Sequence, residues 1–166
     1  MMRYLIPILV MSVLASALIV GCPNPERDEA LKFYRGLYPI VEEIEAMTDE
    51  WTSWAAKASQ VEYEQNIFRK SHQYEVKLVA LYKDLSMLYA PPRLRQLKDY
   101  TGSAINKATE AFRLSQMYVS TGNTRYWNEA NSALLEFNRL MSLVADEWDD
   151  GLAHYKIKSS EIMQTK

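Results

Sequence analysis

The chain reads as an all-α protein, an antiparallel up-down four-helix bundle behind an N-terminal signal segment. Three observations predict it. From Ala30 onward apolar residues recur at alternating steps of three and four, the spacing that keeps one stripe of a helix facing its partners. That rhythm is broken at "YAPPRL" (Tyr89 to Leu94) and at "STGNT" (Ser120 to Thr124), where helices must end. No window alternates apolar and polar residues over a strand's length, so no sheet is expected.

The first helix is expected at about residues 26–58. Asn24 can cap it, Pro25 suits its first position, and Glu26, Asp28 and Glu29 favour the positive end of the dipole. Its stripe runs through Ala30, Phe33, Leu37, Ile40, Ile44, Met47, Trp51, Trp54 and Ala58. Gly36 and Pro39 fall within it, which predicts a kink near residues 35–39.

A second stripe, Ile67, Tyr74, Leu78, Leu81, Leu85 and Leu88, is out of phase with the first and defines a helix at about 64–89. The polar stretch "KASQVEYEQN" between them holds neither Gly nor Pro. It is compatible with a turn within 58–66 or with one very long bent helix. Pro91 and Pro92 forbid continuation, and Pro92 can open a third helix at about 92–121. That stripe is mostly small: Leu94, Leu97, Thr101, Ala104, Ala108, Ala111, Ser115 and Tyr118. Gly122 would end it, and Asn123 or Thr124 would cap a fourth helix at about 124–158. Large residues dominate there: Trp127, Ala130, Leu134, Phe137, Met141, Val144, Trp148 and Tyr155. Helices this long, joined by short connections, pack best as antiparallel neighbours over residues 27–160.

Charge narrows the function classes. The 166 residues carry a formal charge of −2 and a pI near 5.8, so no basic field invites nucleic acid. Removing residues 1–21 takes away one cation, Arg3, leaving 18 Lys and Arg against 21 Asp and Glu, a formal −3. Such a surface disfavours strong electrostatic docking on anionic lipid. The single cysteine, Cys22, permits no intrachain disulfide.

Cys22 closes the segment "MMRYLIPILVMSVLASALIVGC": a positive start at Arg3, an apolar run from Tyr4 to Val20, then Gly21. This is the layout of a secretory signal peptide, short for a comfortable membrane span of ~20 residues. Its ending, Ile19-Val20-Gly21-Cys22, resembles the lipobox of bacterial lipoproteins. The resemblance implies a diacylglyceryl group on the Cys22 thiol and cleavage between Gly21 and Cys22. Residues 1–21 would then be the signal peptide and 22–26 a lipidated linker. Two or three acyl chains anchor stably where one holds marginally, since each buried CH₂ contributes ~0.8 kcal/mol. An uncleaved anchor at residues 4–20, or an ordinary buried thiol at Cys22, are the competing readings. The layout is also similar to small helical-bundle lipoproteins of bacterial envelopes, a likeness of architecture that brings no site with it.

Catalytic and metal chemistry find little support. Helical bundles build di-iron sites from Glu-x-x-His pairs, but Arg69 and Gly151 stand three residues before His72 and His154. His72 or Met141 as a haem ligand would lack any Cys-x-x-Cys-His attachment motif. Ser71 and His72 are adjacent, so on a helix they point apart. No nucleophile elbow or phosphate-cradling glycine loop occurs. The acidic run from Asp146 to Asp150 reads as a solvated face with Trp148 turned inward. Trp51, Trp54, Trp127 and Trp148 are core residues or the lining of a groove for an apolar or sugar ligand.

The expectation is therefore a non-enzymatic, exported lipoprotein facing periplasm or cell exterior, binding a protein or envelope component. Its partners are a membrane, through lipid on Cys22, and a protein of unspecified identity. No cofactor, metal or nucleic acid is expected. The alternative is a small-ligand or sensor bundle with an apolar pocket, the small third stripe leaving space against its bulky neighbours.

Overall fold

In the computed structural model of the protein, the described residues are 24–57 and 60–163. Helix α1 spans Pro25–Lys57, α2 Gln60–Met87, α3 Arg95–Thr121, α4 Thr124–Tyr155 and α5 Ser159–Met163, with a 3-10 turn at Pro92–Leu94 before α3. No strand occurs among the described residues, and the fold is all-α.

Each boundary has a local cause. Asn24 Oδ1 accepts from the Arg27 amide at 3.3 Å and caps α1. Helix α1 then continues through Gly36 and Pro39 without interruption, although Pro39 has no amide for the Arg35 carbonyl. Lys98 of α3 reaches back to finish α2, donating to the carbonyls of Leu88 (2.5 Å) and Ser86 (3.2 Å). Those carbonyls lie where a helix end leaves its acceptors unpaired. Gly122 ends α3 in the left-handed region at φ 68°, its amide donating to the Tyr118 carbonyl at 2.7 Å. Asn123 then caps α4 by accepting from the Arg125 amide at 3.0 Å.

Three boundaries differ from the sequence expectation. Helix α2 already includes residues 60–63, ahead of the expected start at 64, because "QVEY" contains nothing that opposes a helix. Pro92–Leu94 forms a 3-10 turn, so α3 proper starts at Arg95. Helix α4 stops at Tyr155 and does not reach 158. Lys156 adopts φ 53°, and the amides of Lys156 and Ile157 close on the carbonyls of Ala153 and Leu152. The chain then forms α5, which periodicity did not reveal. The expected turn at 58–66 is partly outside the described residues, at 58 and 59. On either side of that gap α1 and α2 are separate helices.

Cross-helix contacts give the directions. Glu50 and Glu43 of α1 meet Lys70 and Lys77 of α2, and Gly36 meets Leu88. Between α2 and α3, Leu88 is bonded by Lys98 and Glu75 accepts from Gln116. Numbers rise on one helix as they fall on the next, so these pairs run antiparallel.

The core is built by residues of all five helices, including Ala30, Phe33, Leu37, Leu78, Leu97 and Phe137. Burying such a side chain contributes about 1.5–3 kcal/mol for the larger ones. The small stripe of α3 does not open a space. Ala104, Ala108 and Ala111 are buried, and α3 makes the most extensive contacts in the molecule, against α2 and α4. Its buried hydroxyls are satisfied within the helix: Thr101 donates to the Leu97 carbonyl at 2.8 Å and Ser115 to that of Ala111 at 2.9 Å.

Helix α1 is held differently. Tyr34, 0% exposed, crosses to α4, where its hydroxyl donates to the Trp148 carbonyl at 3.1 Å and its ring packs edge-on against Trp148 at 4.8 Å. Gly151 is buried at this crossing, and a Cβ there would run into the Tyr34 hydroxyl and Leu94. Gly151→Ala should therefore cost about 1–3 kcal/mol of overpacking against about 1 kcal/mol gained in helix propensity. A net loss of about 1 kcal/mol is expected in urea unfolding followed by circular dichroism. Gly36→Ala meets only the tip of the half-buried Leu88 side chain and should come out near neutral.

Candidate functional site

Gly21 and Cys22, the lipidation and cleavage positions, lie outside the described residues. The chain enters the described fold at Asn24, the same end at which α4 closes and α5 lies, since Arg27 bonds Glu161 and the Lys156 carbonyl. No helix among the described residues is long and apolar enough to cross a membrane.

The other sequence candidates are not brought together. His72 is exposed on α2, while its neighbour Ser71 is fully buried, so the pair splits across the helix as adjacency requires. His154 is exposed at the end of α4, its ring edge-on to Tyr155 at 4.7 Å. Among the described residues no three His, Cys, Asp or Glu side chains converge on one point. Asp146, Asp149 and Asp150 are exposed, while Trp148 is half-buried with its ring against Tyr34. The tryptophans divide between two ends of the bundle. Trp51 belongs to an aromatic cluster with Trp54, Tyr74 and Phe112 at 5.0–5.9 Å, and Trp127 packs on Tyr118 at 5.4 Å. Trp148 stands with Tyr34 near the other end.

What the structure does assemble is a furrow between α1 and α4. The larger cleft, about 370 Å³, is walled by Tyr38 and Val41 of α1, Met141 and Trp148 of α4, and Ile162 and Met163 of α5. It continues past Glu45 and Met141 to Ile44, Asp49 and Phe137. From there it deepens into a second recess of about 120 Å³ beside Met47, Trp51 and Leu134. Bulky side chains face each other along this line and hold α1 off α4, in contrast to the close contact that alanines permit at α3. A cleft of the larger size lies within the range that holds organic ligands or side chains of a partner.

The rim is acidic. Glu42, Glu45 and Asp149 line the larger cleft, and Asp49 the stretch beyond it, with no Lys or Arg in the lining. Among the described residues none of the four has a salt-bridge partner, and Glu42 accepts from Tyr38 at 3.4 Å. The acids on the α2 side of the same helix are matched: Lys77 lies 3.0 Å from Glu43, and Lys70 lies 3.1 Å from Glu50, whose carboxyl that bond holds below the usual range. Sequence reasoning missed the furrow. The signal available was two acidic series on one helix, 42-45-49 and 43-50, only the second of which has lysines opposite it.

Electrostatics fix the furrow's end. Burial pushes the Tyr34 phenol well above its ordinary range, so it remains a hydrogen-bond donor at any ordinary pH. Helix α5 is clasped to α1 by two arginines. Arg27 reaches the Glu161 carboxylate at 2.7 Å, and Arg35 donates twice to the Glu161 backbone carbonyl, at 2.9 and 3.2 Å. The same carboxylate accepts from the Lys158 amide at 2.9 Å, the return half of a capping box. These bonds, Arg27 first, hold the Glu161 carboxyl below the usual carboxylate range.

A depressed folded-state pKa stabilises docking above the unfolded value and is lost as pH falls through the folded one. Hydrogen-exchange protection of the Ile162 and Met163 amides should therefore fall as pH drops below about 4. Glu161→Gln should lower protection at neutral pH and flatten that dependence. Compared with known proteins, the chain matches no family model, no curated protein and no solved structure.

Proposed function

We propose that the protein is an exported lipoprotein, tethered to a bacterial membrane through lipid on Cys22, whose helical bundle binds a protein or another component of the cell envelope. The observation that carries this reading is Ile19-Val20-Gly21-Cys22 at the close of an apolar run with Arg3 before it. The chain's only thiol stands where such a motif needs it, with neither a disulfide partner nor a second thiol in the chain. In support, α1 starts two residues after Pro23, so a short linker would bring the bundle close to the lipid. No catalytic role is assigned to the bundle. A second reading, a small-ligand or sensor bundle, is favoured by the cleft of about 370 Å³ between α1, α4 and α5.

Expression with an alkyne-tagged palmitate analogue tests the anchor. The wild-type protein should incorporate the label and appear in the membrane fraction at a mass lacking residues 1–21. Cys22→Ser should incorporate none and retain the full-length mass. Equal labelling of both, or an unlabelled wild type, would refute the lipoprotein reading.

A further inference from the structure

We propose that the furrow between α1 and α4 docks a basic amphipathic helix of a partner protein. The inference deepens the binding role proposed above and rests on that reading for its setting. Its geometry comes from α1, α4 and α5, with residues of α2 and α3 lining the inner recess.

The furrow is apolar at its floor and anionic at its rim. Tyr38, Val41, Met141 and Trp148 offer a floor for leucine-sized side chains, and the recess beside Met47 and Trp51 extends it. Along the α1 rim Glu42, Glu45 and Asp49 are exposed and spaced three and four residues apart. At 1.5 Å per residue they span about 10 Å of the helix, with Asp149 across the cleft. A small amine would engage one of these carboxylates. A helix carrying Lys or Arg at matching intervals would engage the series while its apolar face fills the floor.

The molecule contains one precedent for this chemistry. On the other side of α1, Glu43 and Glu50, seven residues apart, are met by Lys77 and Lys70 of α2, also seven apart. Glu42 and Asp49 repeat that seven-residue spacing one position earlier, facing the furrow. At the furrow's end, α5 shows that a short helix can seat against α1 beside the cleft, with Ile162 only 3% exposed, although its ion pair has the opposite polarity, Glu161 of α5 meeting Arg27 of α1. The docked helix would extend along the furrow beyond α5. Exposed pairs contribute little energy each, so the apolar floor supplies affinity while the carboxylates set direction and encounter rate.

The test uses the membrane-extracted protein, as expressed from the whole sequence, in neutral phosphatidylcholine nanodiscs, with empty discs subtracted. The probe is a fluorescent Leu/Lys helix of about five turns with lysines seven apart, and the control is its Leu/Glu counterpart. Anisotropy should show binding of the lysine peptide alone. The triple variant E42Q/E45Q/D49N should weaken it at least tenfold, and about 0.5 M NaCl should erase most of that difference. Glu110→Gln, an exposed acid on α3, should change nothing. Ala145→Trp fills the furrow without altering charge and should also weaken binding; circular dichroism checks that each variant remains folded. Equal binding of the glutamate peptide, or an unchanged triple variant, overturns the proposal. So does an Ala145→Trp variant that binds normally, since the peptide would then be held outside the furrow. Octylamine binding the furrow as tightly as the peptide would replace the helical partner with a small ligand. Acylation of Cys22, scored on the same preparation, succeeds or fails independently of peptide capture.

Discussion

At one end of the furrow the separation of α1 from α4 is set by a single side chain. Tyr34 spans the gap, bonds the Trp148 carbonyl and sits where Gly151 leaves no Cβ to oppose it. A smaller residue would let the helices close, and a side chain at 151 would push them apart. Burial keeps the phenol protonated, so this spacer does not change with pH across any ordinary range. The furrow beyond it inherits its width from that contact and from the bulky residues that line it, Val41 and Met141, then Ile44 and Phe137.

The two halves of the bundle therefore differ in kind. Helices α2, α3 and α4 form a closely packed slab in which alanines of α3 allow near approach and its hydroxyls are satisfied by their own backbone. Helix α1 lies against this slab through large side chains and edge contacts. Rigidity on one side and an open seam on the other is a favourable arrangement for recognition, because the slab fixes one wall of the cleft while side chains on the rim remain adjustable.

Much of this was legible in the residues. Of the first stripe, Ala30, Phe33, Leu37, Ile40, Ile44 and Met47 are buried, Trp51 and Trp54 are half-buried, and Ala58 lies outside the described residues; of the third, the members from Leu94 to Ser115 are buried and Tyr118 is half-buried. Caps were readable at Asn24, Gly122 and Asn123 because each has a side chain or backbone freedom suited to its role. Less visible were features that depend on a partner far along the chain. Tyr34 lies beside its stripe and is buried only because Gly151 receives it. The end of α4 was hidden because Lys156, not glycine, takes the left-handed conformation. Small residues on α3 suggested room for a ligand, yet small residues bring helices together; the space arose where large ones met. The furrow needed both helices to be placed before the unmatched acids of α1 could be seen to share an edge.

Helix α5 has a mechanical consequence. Arg27 and Arg35, in the first three turns of α1, grip Glu161 near the end of the described chain. The two ends of the bundle's chain are thus buckled to one another at a single pole, and the polypeptide forms a closed circuit. Tension entering at the N-terminal side would load this buckle at once and be shared with the C-terminal turn. Peeling of α1 past Arg27 must first break these bonds. A bundle tethered by one end of its chain would in this way resist unravelling from the tether inward.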